Sequence, residues 1–89
     1  MAKKPYYLRG AFGNAILTQR KRAGLSAQGL ADILGVDRKT VVKWENEGTI
    51  PYPKNWEKLI NWAENNTAVD ENSLKRAYAK ALMEYGVRK

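Results

Sequence analysis

The 89-residue chain sets 16 lysines and arginines against 9 aspartates and glutamates, a net charge of +7, and has neither cysteine nor histidine. That length holds one small domain, and the missing residue types exclude disulfides, thiolate zinc sites, the usual transition-metal ligands, thiol nucleophiles and ordinary catalytic triads. No apolar run nears the ~20 residues of a membrane span, and the basic start Met1-Ala2-Lys3-Lys4-Pro5-Tyr6-Tyr7 lacks an apolar signal core, so a soluble, cytoplasmic, non-enzymatic protein without metal or cofactor is expected.

Strand signals are poor and helix punctuation is frequent. A first helix is expected from Gly10 or Ala11 to Ala23, with Phe12, Ile16 and Gln19-Arg20 on one stripe and Gly24 as its stop. Ser26 is a good N-cap for a second, Ala27 to Leu34, stopped by Gly35. Asp37 is an N-cap for a third, Arg38 to about Asn46 or Glu47. Pro51 and Pro53 forbid continuation, so residues 48–53 read as a loop. A fourth helix runs from Pro53 or Lys54 to about Glu64, with Trp56, Leu59, Ile60 and Ala63 at i, i+3, i+4, i+7. Asp70 opens a fifth, to about Tyr85, whose apolar face is Leu74, Ala77, Tyr78, Ala81, Leu82 and Tyr85. The expected fold class is all-α, a compact five-helix bundle.

Charge is unevenly spread. Residues 1–44 hold nine bases and two acids, and residues 45–89 hold seven of each. The whole excess therefore lies in the first half. One-sided positive charge suits a polyanion partner, nucleic acid above all, and otherwise serves solubility alone.

Ala27 to Trp44 carries the most specific pattern. Two short helices crossing steeply around a tight turn need a small residue at the approach, and Ala31 is there. Four residues on, the turn needs a positive φ, and Gly35 allows it. Leu30, Leu34, Val36, Val41 and Trp44 fall where the motif must face inward. The bland alternative is an ordinary helical hairpin in which these residues are only core.

Phe12-Gly13, Arg20, Ala23-Gly24-Leu25-Ser26, Leu30-Ala31, Leu34-Gly35-Val36, Thr40-Val41 and Trp44-Glu45-Asn46 together resemble the Cro/cI (XRE-type) helix-turn-helix family of phage and bacterial DNA-binding domains, over roughly residues 11–64. The resemblance implies a lambda-repressor-like bundle with the turn motif at 27–46. It implies a third helix, 38–46, that reads the major groove. Arg38, Lys39 and Lys43 stand where relatives touch base edges. Arginine and lysine donate to guanine O6 and N7, and Val42 can meet a thymine methyl. Phosphate contacts are expected from Ser26, Ala27 and Gln28 at the start of the second helix, from Asn46, and from Thr40, Lys21 and Arg22. Arg20 and Glu45 are expected to form a structural ion pair. The alternative for the three bases is a solvated helix face or phosphate contacts alone.

Three positions depart from the family pattern. Ala27 stands where a Gln is usual, and Gln28 follows about 100° round the helix. Gly29 lies inside the second helix at a cost of about 1 kcal/mol against Ala. Glu47 interrupts the usual Glu-Asn-Gly turn and lengthens the loop to Pro51.

The chain divides into a basic N-terminal arm (1–9), the helix-turn-helix domain (10–64) and a C-terminal helix (65–89). Lys3 and Lys4 follow the DNA backbone or form a solubilising tail. Tyr6, Tyr7, Trp56 and Trp62 belong to core or interface rather than to base stacking. The fifth helix packs on its own bundle or on a second copy, and a homodimer would set two reading helices about 34–36 Å apart on a palindromic operator. The expected function is a sequence-specific double-stranded DNA-binding repressor, nucleoid-associated through its DNA, with no membrane or small-molecule substrate. The alternatives are an excisionase-like architectural binder with a winged hairpin opening at Gly48-Thr49-Ile50-Pro51, and an antitoxin-type protein-binding module.

Overall fold

The computed structural model describes the backbone of residues 3–47 and 49–88 and the side chains of residues 12–47 and 49–83. Those residues form helices α1 (Lys3–Arg22), α2 (Ala27–Leu34), α3 (Arg38–Glu47), α4 (Pro53–Glu64) and α5 (Glu71–Arg88), with no strand among them.

Each break has a local cause. Gly24 takes φ 74°, and the Leu25 N–H donates to the Arg20 carbonyl at 3.1 Å, closing α1 with a left-handed glycine cap. The Ser26 hydroxyl accepts from the Gly29 N–H at 3.0 Å and starts α2. Gly35 ends it at φ 72°, with the Val36 N–H on the Ala31 carbonyl at 3.0 Å. Pro53 opens α4 at a position whose missing N–H costs nothing. The Asp70 carboxylate accepts from the N–H groups of Asn72 and Ser73 at 3.1 and 3.4 Å and starts α5.

Three expectations about element bounds are corrected. α1 begins at Lys3, not at Gly10 or Ala11, so the backbone of residues 3–9 is helical. Pro5 sits in the first turn, where its absent N–H has no helical acceptor to lose. α5 runs through Gly86 to Arg88 instead of stopping near Tyr85. No strand follows α3 among the described residues, and 53–64 are helical, so the winged hairpin of the excisionase alternative is absent from the segment after residue 48. The side chains of Lys3, Lys4, Tyr6, Tyr7 and Tyr85 lie outside the described residues.

The core follows the apolar stripes. Phe12, Ile16, Leu30, Ala31, Leu34, Val41, Trp44, Leu59, Ala63 and Leu74 are buried, and Val36, Trp56, Ile60, Ala77, Tyr78 and Ala81 pack round them. α1 packs on α3 and α5, α2 on α3 and α4, and α4 on α5. Where α1, α4 and α5 meet, Trp56 stacks on Tyr78 at 3.8 Å between ring centroids, and Phe12 tilts against both. Leu82, expected on the inner face of α5, is instead exposed, as is Met83. The buried Gln19 amide oxygen accepts from the Asp70 N–H at 2.8 Å, and Arg22 Nε donates to the Ala68 carbonyl at 3.1 Å. These two bonds hold the α4–α5 connection to the end of α1. No helix of the described residues is long and apolar enough to cross a membrane.

Candidate nucleic-acid interface

The orientation of α3 is decided by its apolar residues. Val41 and Trp44 are 0% and 2% exposed, locked against the bundle. A helix has one inner face, so the residues between them must point out. Arg38, Lys39 and Lys43 are exposed and Val42 is half-buried. All four line one shallow depression of about 240 Å³, together with Glu47. Among the described residues no ion pair engages the three bases, so their positive charge faces outward.

Glu45, also on the inner side, is 3% exposed. Its carboxylate meets Arg20 of α1 in a two-pronged contact: Nε donates to Oε2 at 2.7 Å and Nη2 to Oε1 at 2.9 Å. Arg20 Nη1 also donates to the Leu25 carbonyl at 3.0 Å. One guanidinium thus ties α1, the approach to α2 and α3 together. Hydrogen bonding to Glu45 raises the Arg20 pKa above the ordinary arginine value, partial burial opposes the rise, and the carboxylate charge adds to it.

The remaining sequence-derived site residues divide by position. Thr40 is half-buried on α3. Asn46 is exposed and lies within α3, which runs on to Glu47. Ser26 is exposed but its oxygen is engaged as the α2 cap. Ala27 is half-buried, and the Gln28 amide nitrogen donates to Asp32 Oδ1 at 2.8 Å, along its own helix. Lys21 is exposed near the end of α1, whereas Arg22 Nε is engaged by Ala68.

Sequence reasoning missed a second depression beside the first. About 270 Å³ in volume, it is lined by Thr40 and Lys43 of α3 and by Thr49, Tyr52 and Asn55 of the connection and α4. The edge of Trp44 and the buried Pro51 form part of its apolar wall. Tyr52 is 79% exposed, an unusual place for a large ring. The signal was present in Pro51-Tyr52-Pro53: a residue before proline is held extended, and Tyr52 sits at φ −66°, ψ 157°. It cannot be drawn into a helix interior, and it lines the same depression as Lys43.

The assembled surface is a rigid helix with three cations and a methyl-bearing side chain turned outward. Polar donors flank it on the α3–α4 connection. It offers donors to an anionic, acceptor-rich partner. A helix-turn-helix family model matches residues 16–61, just over half of the chain, from the middle of α1 into α4. No curated protein and no solved structure matches the chain.

Proposed function

The chain belongs to the Cro/C1-type (XRE) helix-turn-helix family of DNA-binding regulators, and from that premise we propose that it is a repressor of phage or bacterial type, reading a palindromic operator as a homodimer. α3 lies in the major groove. Arg38, Lys39 and Lys43 donate to base edges and Val42 contacts a thymine methyl. The observation that carries the reading is the opposed pair of faces on α3: Val41 and Trp44 buried, Arg38, Lys39 and Lys43 exposed around one depression.

Phosphates are gripped from both sides of α3. The start of α2, at Ser26, Ala27 and Gln28, presents backbone N–H groups and the positive end of the helix dipole. Thr40, Asn46 and Lys21 add side-chain contacts, as do the terminal nitrogens of Arg22. Tyr52, Thr49 and Asn55 extend the grip along the sugar-phosphate backbone, donating to phosphate oxygens while the apolar wall meets deoxyribose. Residues 10–64 are the reading unit. The exposed Leu82 and Met83 on α5 belong to the dimer contact.

Selection from a pool of random duplexes tests this directly. One enriched, two-fold symmetric site is expected, with affinity falling steeply as salt rises because bound phosphates release counterions. Equal binding to all duplexes at moderate salt would refute sequence reading, and an enriched site without symmetry would refute the dimer.

A further inference from the structure

We infer that Glu47 is a specificity residue: its carboxylate accepts from the exocyclic amino group of a cytosine in the major groove and penalises other bases at that position. The inference rests on the DNA-reading role of α3 proposed above.

Four observations lead to it. α3 continues through Glu47, so this residue shares the rigid helix with the bases. Its helical spacing continues the stripe of Lys39 and Lys43, at i, i+4, i+8. It lines the same depression as Arg38, Lys39, Val42 and Lys43, and it contributes the one carboxylate to that lining. It is exposed, with no ion pair to either lysine.

A carboxylate on a surface that meets a polyanion is costly. It is repelled by phosphates and loses water on contact, and this cost stands unless a donor replaces the water. Duplex DNA offers few such donors. In the major groove guanine presents acceptors, thymine an acceptor and a methyl, adenine an N6 amino donor with its N7 acceptor beside it, and cytosine an N4 amino donor with no acceptor of its own on that edge. A carboxylate, which only accepts, is repelled by adenine N7 while it bonds N6, so cytosine is the base at which Glu47 is best tolerated. Elsewhere it lowers affinity, which is discrimination by an unfavourable contact as well as a favourable one.

The full-length protein and its Glu47→Ala and Glu47→Gln variants are compared on the duplex that the unmodified protein selects, on versions with each base pair replaced, and on a scrambled duplex. Thermal unfolding serves as the check on folding, since Glu47 is exposed. The expected result is several-fold tighter binding of scrambled DNA by both variants. At one C·G pair, Glu47→Ala should lose a preference on the order of tenfold. Glu47→Gln should move that preference toward adenine, which a glutamine amide can pair through N6 and N7. If both variants keep every base preference of the parent protein, whatever their absolute affinity, the inference is overturned and Glu47 contributes charge alone. If the parent protein selects no sequence at all, the DNA-reading proposal falls, and this inference with it.

Discussion

Arg20 and Glu45 lie 25 positions apart in the chain and meet through two hydrogen bonds of 2.7 and 2.9 Å. The pair is mostly withdrawn from solvent, at 13% and 5% side-chain exposure. It bolts the inner face of α3 to α1 while the third guanidinium nitrogen holds the Leu25 carbonyl. Desolvating two charges is costly, so the pair is more a device for orientation than a source of net stability. Breaking it from one side is another matter, because the remaining charge is left buried.

Glu45→Gln is therefore expected to destabilise the fold by about 3–5 kcal/mol, read from urea unfolding. DNA affinity should fall along with it. Since hydrogen bonding to Glu45 raises the Arg20 pKa, Arg20 holds its proton more tightly folded than unfolded. That contribution is fully present below the ordinary arginine value and is lost only as pH rises through the elevated one. Arg20 should thus add no slope to stability across the neutral range, and a titration of unfolding midpoints against pH checks the sign.

Lys43 borders both depressions. Lys43→Ala should weaken operator binding by about 1–3 kcal/mol and relax one base position. Uniform weakening on every duplex, with a shallower salt dependence, would make Lys43 a phosphate contact. Competition binding against single-base operator variants separates the two.

Two glycines of one short segment should respond with opposite sign. Gly35 sits at φ 72°, which an L side chain resists, so Gly35→Ala should cost about 1–2 kcal/mol. Gly29 is inside α2, and a Cβ there would meet Leu25 Cδ2 and Ser26 Oγ at 3.4 Å. Both neighbours are side-chain ends that can give slightly. Gly29→Ala should therefore stabilise by roughly 0.5–1 kcal/mol through helix propensity. Denaturant midpoints of both variants measure this.

Gln19 is 3% exposed and accepts from the Asp70 N–H. Gln19→Leu keeps the bulk and removes the acceptor. The orphaned N–H should cost about 1–3 kcal/mol, and amide exchange at Asp70 and the first turn of α5 should quicken. Unchanged exchange there would mean that the α4–α5 connection is held by Arg22 alone.

The sequence by itself determined the pieces that close within a few residues. Ser26 reaching Gly29, Gly35 turning left-handed, Pro53 opening α4 and Asp70 capping α5 are contacts between near neighbours, so composition and spacing were enough. The inward stripe of α2 and α3 was legible for the same reason, since a helix places every fourth side chain on one face. The charge bias and the Ala31–Gly35 pattern are properties of the chain itself and point to a polyanionic partner without reference to the fold. The start of α1 at Lys3 lies beyond the apolar stripe of Phe12 and Ile16 from which the helix is legible, and Gly10 inside it costs only about 1 kcal/mol. Only the tertiary structure decided which distant groups meet. Gln19 finds Asp70 across 51 positions, and Trp56 stacks on Tyr78. Such contacts depend on how the helices cross, and crossing is set by the packing of the whole core rather than by any local run of residues.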